Sequence, residues 1–428
     1  MKKTINFKID WLMLFIIFLP TFYVWGKDVR QMQMNFFQMS IFVLIALFHV
    51  NRYIGLFLGW ATFQFIFFQG IPGQSHMIQN IFFAAILYHF IVKYADLESL
   101  KKYMWAFYWV MLFSCLWIAL QANQIDPLWV NANQSAHVSS FISEYSGFFL
   151  LPQLMGNYVA AVTPFAFALN PLLAGFAIIA LGCSKSTFAV LAALMASLFF
   201  WWFRKRIVFW IILLIFGAAG IFWIFKFDLP DGQFGRRLNV WKTLLSTSFQ
   251  KQFTGHGIGA YNSGYVFIES EATGKTVMVR DNKGIIEFLI IQADKLKSPT
   301  REKVLGVLTK IDSSQGLHLG KLNGFLQGES FGFNVWAEAH NEFLQAFFEF
   351  GIFGILMISG YFFDLFKRFF ALGLEKNKQA LAMASSVIAV IVISFAHFPF
   401  HLARIAGPYL VILALFETIL IRTEEYAA

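Results

Sequence analysis

Long apolar stretches, separated by short polar segments, run along almost the whole chain and constrain its fold more than any other feature. Twelve such stretches can be delimited, at residues 11–25, 36–51, 53–70, 77–93, 103–122, 153–169, 171–184, 186–203, 207–225, 341–363, 380–397 and 405–421. Hydrophobic residues make up 58% of the sequence and charged residues only 13%. A water-soluble domain of this length does not carry so few charges. The sequence therefore predicts an all-α polytopic membrane protein with about twelve transmembrane helices.

The Lys and Arg residues between these stretches are distributed unevenly over the two sides of the membrane. If the N-terminus lies in the cytoplasm, fifteen of them fall in inside segments, whereas only Lys27, Arg30, Lys185 and Arg404 fall in short outside loops. Short loops that are rich in Lys and Arg stay in the cytoplasm, so we expect both termini there. We attribute the net charge of +9 to the Lys and Arg residues that set the membrane topology, and we expect no nucleic acid partner.

This topology divides the chain into three parts. Residues 1–225 form helices one to nine, residues 226–339 form one large extracytoplasmic loop before the tenth helix, and residues 340–428 form the last three helices. A connection of this length usually has folded or functional content. Its first part, Arg236–Phe253, repeats apolar residues at helical spacing, which predicts an amphipathic helix on the outer membrane surface. Residues 262–297 show no pattern that assigns them.

A polar group, His340-Asn341-Glu342, opens the apolar stretch that follows the large loop. Histidine at the start of a helix is often only a capping or interface residue. A helix N-terminus disfavours the imidazolium form, so His340 should stay neutral and able to accept a proton, while free backbone N–H groups there can bind an anion. Glu349 lies deeper in the stretch and on the opposite side of the helix, so it is expected to brace a neighbouring helix.

Six residues of this region have the spacing His-Asn-x-x-Leu-x-x-x-x-Glu-x-Gly-x-x-Gly, namely His340, Asn341, Leu344, Glu349, Gly351 and Gly354. This spacing resembles the signature of the O-antigen ligase/polymerase superfamily, which are bacterial membrane glycosyltransferases that use polyprenyl-diphosphate-linked glycans. Arg237 and Trp241 resemble the Arg-x-x-x-Trp at the start of the same outer loop in that superfamily. The sequence from Thr254 to Gly259 resembles the Gly-rich turn that follows, although a plain turn is at least as good an interpretation.

The resemblance implies a role for each of these residues. His340 and Arg237 are the predicted catalytic residues, His340 as a proton acceptor and Arg237 as a ligand of the leaving diphosphate, because guanidinium pairs well with phosphate oxygens. A lipid-headgroup anchor is the other interpretation of an arginine here. Substrate contacts are predicted for Lys185, Arg404, Asn341, Arg236 and Gly257, and structural roles for Glu349, Gly351, Gly354 and Trp241.

The implied reaction moves a glycan from undecaprenyl diphosphate to an acceptor hydroxyl, with the active site on the periplasmic side of the bacterial inner membrane. The acceptor could be lipid A-core, a growing polysaccharide or a protein Ser or Thr, corresponding to a ligase, a polymerase or an oligosaccharyltransferase. Since the chain has no Asp-x-Asp, we expect a metal-independent, inverting glycosyltransferase without a cofactor. A transporter or flippase of polyprenyl-linked glycans is the alternative, although its charged path is not evident in these apolar stretches. A membrane scaffold is a third.

Overall fold

The structure, a computed structural model, describes residues 51–67, 74–122, 152–184, 186–214, 233–263, 266–270, 276–279, 333–336, 339–397, 400 and 403–427. Most of these residues are helical. The longer helices are α1 (Arg52–Phe67), α2 (Gln74–Tyr94), α3 (Leu100–Ala122), α4 (Pro152–Leu169), α5 (Ala174–Ser184), α6 (Thr187–Arg204), α7 (Gln233–Ser248), α8 (Glu342–Ala371), α9 (Lys378–Ser394) and α10 (Ala403–Ala427). Three strands are also present, β1 (Val266–Ser270), β2 (Thr276–Val279) and β3 (Phe333–Trp336).

Four of the described helices are long and apolar enough to cross a membrane. They cover Leu100–Leu120, Thr187–Arg204, Glu342–Ala371 and Ile405–Ala427. The predicted helical architecture is thereby confirmed, and these helices fit a membrane-embedded protein. The count of twelve spans stays a prediction, because the first predicted span and almost all of the second lie outside the described residues.

The first of two compact units is a helical bundle centred on α4. It comprises the described residues of 51–55, 82–214 and 359–427. Helix α4 packs against α3, α5, α6 and α9. Buried alanines line these contacts, among them Ala160, Ala161 and Ala166 of α4, Ala189, Ala192 and Ala196 of α6, and Ala380, Ala382 and Ala384 of α9. Small side chains let apolar helices approach closely where no hydrophobic difference between lipid and protein drives them together.

Charged side chains pair with one another near the C-terminal ends of α8 and α10. Arg368 makes two hydrogen bonds to the carboxylate of Glu424, at 2.8 and 2.7 Å, and its Nη1 lies 3.6 Å from Glu417 Oε1. Glu417 is buried and also accepts hydrogen bonds from the Tyr88 hydroxyl and from Asn51. Because a buried charge is costly unless it is paired, this cluster joins the helices that contribute to it.

The second unit comprises the described residues of 56–81 and 233–358, and α7 is amphipathic. One side of α7 is buried and is formed by Arg237, Val240, Leu244 and Ser248. Leu238, Leu245 and Phe249 lie on another side and are 45%, 39% and 56% exposed. The sequence places Trp241 on the same apolar side as these three, whereas the structure turns its indole towards the protein, where Nε1 donates to the carbonyl of Ala339 at 2.7 Å.

A small antiparallel sheet follows in the same unit, with strand order β2-β1-β3. In its register Phe267 of β1 is opposite Met278 of β2 and Trp336 of β3. The sheet departs from the all-α expectation and accounts for part of the segment that the sequence leaves unassigned. Phe267 is buried and stacks on Tyr261 with ring centroids 4.8 Å apart, so the sheet closes over the end of the Gly-rich turn.

The Gly-rich turn, residues 254–259, packs against a kink in α8. Gly351 interrupts the helix with φ 68° and ψ −166°, a conformation open almost only to glycine. Three backbone hydrogen bonds join α8 to the turn and to the residues just before it. The turn donates from His256 N–H to Phe348 O (2.8 Å) and from Gly257 N–H to Glu349 O (3.0 Å), and Ile352 N–H donates to Gln252 O (2.7 Å), two residues before the turn. The kink thus exposes backbone groups of α8 that the turn then satisfies.

Two glycines allow this contact. A Cβ atom added to Gly255 would overlap the carbonyl oxygen of Glu349, and one added to Gly351 would overlap the carbonyl oxygen of Phe253. The sequence predicts that Gly351 permits packing against another helix, but the segment that approaches it most closely is the loop. One turn later, a Cβ on Gly354 would collide with the side chain of its own helix at position 350, so this glycine also serves the kink.

Replacing Gly351 by alanine should destabilise the protein far more than the same change at Gly373. Both have positive φ, 68° and 63°, but nothing lies within 4 Å of a Cβ at Gly373. We expect Gly373→Ala to cost about 1–2 kcal/mol, from left-handed strain alone. Gly351→Ala adds overlap with backbone atoms and should cost about 3–5 kcal/mol. Thermal unfolding of the purified protein in detergent measures the difference, and equal melting temperatures of the two variants would contradict the packing described here.

Candidate functional site

Residues from α7 and from the start of α8 meet in the second unit. The hydrogen bond from Trp241 Nε1 to the carbonyl of Ala339 attaches α7 to the residue that precedes His340. Arg237 lies one turn before Trp241 on the same helix, and side chains four residues apart share a helix face. This arrangement brings the guanidinium of Arg237 close enough to His340 for its charge to act on the imidazole.

His340 lies outside the helix, one residue before its N-cap. Its φ is 52°, which makes it the one non-glycine residue with positive φ in the described part of the chain. The side chain of Asn341 caps the helix by accepting the N–H of Leu344 at 3.0 Å. The sequence places His340 at the start of the helix, whereas the structure places it before the helix, because the chain turns at this residue. Asn341 is a predicted substrate ligand, and its side-chain oxygen is used to cap the helix.

The imidazole of His340 is neutral at physiological pH. Burial lowers the pKa of His340, and the positive charge of Arg237 lowers it further, to about 3. The sequence predicts the same direction but assigns it to the helix N-terminus, which is not the cause found. His340 is partly exposed, and its Nδ1 is buried.

Arg237 is itself buried, with 8% of its surface exposed. Burial lowers the pKa of Arg237, but guanidinium is so strongly basic that it stays protonated. A buried positive charge beside a neutral imidazole favours an anion, and an anion held there would offset the charge that suppresses protonation of His340. Guanidinium groups bind phosphate-type anions, and a neutral imidazole accepts protons, so the pair combines these two chemistries.

Glu349 and the Gly-rich turn support this pair and do not face it. The carboxylate of Glu349 is buried and accepts hydrogen bonds from the N–H of Tyr261 at 3.3 Å and from Gln345 Nε2 at 3.5 Å. The carboxylate of Glu349 thus contacts the short helix Ala260–Ser263 that follows the turn, and its structural role stays a prediction. The N–H of Gly257, a predicted substrate ligand, is used within the protein, so the turn is part of the scaffold.

Three predicted substrate ligands are not located by the structure. Lys185 lies outside the described residues, between the buried Ser184 and Ser186 of the first unit. Arg236 and Arg404 lie in α7 and α10, and their side chains are outside what the structure describes. Their contacts with substrate stay predictions.

Two glutamines of the second unit have roles that sequence reasoning missed. Gln64 of α1 is fully buried, and its Nε2 donates to the carbonyl of Glu349 at 3.1 Å and to that of Thr254. Gln345 is also buried and lies four residues before Glu349 on α8. Both glutamines lie inside apolar stretches of the sequence. Because a buried amide must find hydrogen-bond partners, that position is a signal that could have indicated their roles.

No protein-family model matches this chain, and no curated protein is significantly similar to it. The resemblance to the O-antigen ligase/polymerase superfamily therefore depends on the motif residues alone.

The depressed pKa of His340 predicts a pH dependence of stability. In the unfolded chain His340 has its ordinary pKa of about 6.5, so between pH 6.5 and about 3 the unfolded state binds a proton that the folded state excludes. His340 therefore does not reduce the free energy of unfolding above pH 6.5. As the pH falls through that window, the free energy of unfolding decreases by at most about 1.4 kcal/mol per pH unit.

The measurement is the difference in unfolding free energy between pH 7.5 and pH 4.5. We expect this difference to be smaller in His340→Gln than in the wild type, because the variant no longer has the group that titrates. Gln250→Leu, a change at an exposed residue that does not titrate, is the control and should leave the difference unchanged. An unaltered difference in His340→Gln would show that this imidazole is not suppressed in the folded protein.

Proposed function

We propose that the protein is a membrane glycosyltransferase of the O-antigen ligase/polymerase type, which moves a glycan from undecaprenyl diphosphate to an acceptor hydroxyl. The observation that carries this proposal is the interaction between Arg237 and His340. They come from two separate motifs at opposite ends of the large loop, yet they form one pair. A cation that can bind the leaving diphosphate and a neutral imidazole that can accept a proton are the two groups that the reaction needs.

Arg237 binds the donor through its diphosphate. Two guanidinium N–H groups can donate to two phosphate oxygens at once, and burial strengthens this attraction because little water screens it. The negative charge on the diphosphate increases as the bond to the sugar breaks, so the interaction is stronger in the transition state than in the ground state. Lys185 and Arg404 are further candidates for contacts with the same group.

His340 accepts the proton of the acceptor. The acceptor hydroxyl attacks the anomeric carbon, the bond between that carbon and the diphosphate oxygen breaks, and its electron pair leaves with undecaprenyl diphosphate. The hydroxyl proton passes to His340, which is the better base once the bound anion offsets the charge of Arg237. A single displacement on an α-linked donor gives an inverted product, and neither a metal ion nor a cofactor takes part in this scheme.

A membrane location fits a lipid-linked donor. In the proposal the chain has twelve spans with both termini in the cytoplasm, and the site faces the periplasm of a bacterial inner membrane. The exposed Leu238, Leu245 and Phe249 of α7 suit contact with lipid, which would hold the adjacent Arg237 near the headgroups. The diphosphate of a lipid-linked glycan lies at this level, with lipid A-core or a growing polysaccharide as the acceptor.

Transport of polyprenyl-linked glycans is the second candidate, because one observation favours it. The apolar helices are less free of charge than the sequence suggests, since Glu417, Arg368 and the Tyr88 hydroxyl form a buried polar cluster. Those charges pair with one another, which is typical of a structural cluster, but buried ion pairs in membrane helices also occur in transport pathways.

The test is transfer by the purified full-length protein in lipid vesicles that contain undecaprenyl-diphosphate-linked glycan. A glycosyltransferase moves the glycan to lipid A-core or lengthens it on its lipid, and free undecaprenyl diphosphate appears. A flippase changes the side of the membrane on which the glycan is accessible and leaves its linkage intact. Movement across the bilayer without any new glycosidic bond would overturn the proposal in favour of transport.

Arg237→Lys should separate the proposed role from membrane anchoring. Lysine keeps the charge but loses the two parallel hydrogen bonds, so turnover at saturating donor should fall about tenfold to a thousandfold with little change in donor affinity. Arg236→Lys is the matched control, one residue away on the same helix, and should be mild. If both variants keep wild-type turnover, or if Arg236 is the sensitive residue, the diphosphate is bound elsewhere.

A further inference from the structure

Gln345 connects Glu349 to the residue before His340. Its Nε2 donates to Glu349 Oε1 at 3.5 Å, and its Oε1 accepts the N–H of Ala339 at 3.4 Å. All three residues are buried, with 3%, 2% and 1% of their surface exposed for Gln345, Glu349 and Ala339. Both hydrogen bonds are long, and such bonds in catalytic networks commonly shorten when substrate binds.

The orientation of the Gln345 amide follows from its partners. Glu349 Oε1 already accepts the N–H of Tyr261, so it presents an acceptor to Gln345 and requires the NH₂ group on that side. The amide oxygen must then face Ala339, whose N–H can only donate. Glu349 therefore fixes which way the amide of Gln345 points, and the amide fixes the peptide group before Ala339.

His340 lies between two fixed points of the backbone. On one side Ala339 has both of its backbone groups engaged, the N–H with Gln345 and the carbonyl with Trp241 Nε1. On the other side the carbonyl of Asn341 accepts the N–H of Gln345 at 3.0 Å, within the first turn of α8. A left-handed conformation such as the φ of 52° at His340 costs about 1–3 kcal/mol and persists only when its surroundings impose it.

We propose that Gln345 is a positioning residue, which holds the backbone on either side of His340 so that the imidazole stays beside Arg237. Through Glu349 it links that position to the kink at Gly351 and to the turn packed against it. The effect on catalysis rests on the proposed function, whereas the geometric role does not. A displacement of about 1 Å at a reacting group can cost about a hundredfold in rate, so we expect a large effect from a residue that does not touch substrate.

The test uses substitution by a charged side chain as well as deletion. Gln345→Leu removes both hydrogen bonds, and Gln345→Glu places a second carboxylate against Glu349. Gln345→Met keeps a side chain of similar volume and also removes both hydrogen bonds, so it is a second deletion that leaves little cavity. Gln250→Leu, at an exposed glutamine after α7, is the control for loss of a glutamine side chain.

Two readouts are measured on the full-length protein in lipid vesicles. Hydrogen exchange of a peptide covering residues 339–344 reports the backbone around His340 without any reference to activity. Transfer kinetics report kcat and the KM for donor. We expect faster exchange and a fall in kcat of about tenfold to a hundredfold in Gln345→Leu and Gln345→Glu, with the KM for donor unchanged because Arg237 is intact. Gln345→Met should behave as Gln345→Leu does, and Gln250→Leu should resemble the wild type.

Each outcome separates this inference from the proposed function. Faster exchange in the single variants, in a protein that transfers no glycan under any condition, would support the geometric role and overturn the proposed function. Unchanged exchange in Gln345→Glu would overturn the inference, whatever the activity. So would wild-type kcat despite faster exchange. Gln345→Met and Gln345→Glu remain decisive if Gln345→Leu does not fold.

Discussion

Backbone contact between the Gly-rich turn and the kink of α8 is the interaction on which the second unit depends. Gly255 and Gly351 allow the two segments to approach, and three backbone hydrogen bonds then join α8 to the turn and to the residues just before it. The kink frees carbonyl groups of α8, and Gln64 and Trp60 of α1 donate to two of them, those of Glu349 and Phe350. The Gly-rich turn and α1 are thereby both attached to α8 at its kink. In a straight α8 these carbonyl groups would be used by hydrogen bonds within the helix.

The chemistry of the candidate site follows from this attachment. Because the turn and Glu349 fix the first turns of α8, the residues just before α8 have a defined position relative to α7. Arg237 and His340 then lie close together, where burial and, after it, the charge of Arg237 suppress protonation of the imidazole. In the proposed reaction a bound diphosphate would offset the second of these two effects.

Sequence reasoning located the helices well, because hydropathy and capping residues are local signals. Helix α9 begins at Lys378 after the N-cap Asn377, two residues from the predicted start, and α10 begins at Ala403, also two residues away. The kink could not be predicted, since an apolar run that contains Gly351 has the same pattern as a continuous helix. The sheet depends on pairing between Phe267 and Trp336, which are far apart in sequence and have no local signature.

The candidate site was predictable in its members more than in its geometry. Arg237 and His340 are predicted from the motif resemblance alone. Their proximity could not be predicted from spacing, because the whole large loop separates them in the sequence. The left-handed backbone of His340 and the hydrogen bonds of Gln345 depend on how the chain turns before α8, and they are visible only in three dimensions.

The central claim is that Arg237 and His340 act as one site on the same donor. A double-mutant cycle tests it most directly, with Arg237→Gln, His340→Gln and the double variant compared in single-turnover transfer. If the two residues act together, the double variant should lose scarcely more activity than the worse single variant, because either change already disables the shared step. Losses that multiply would show that the two residues act independently and would contradict the account.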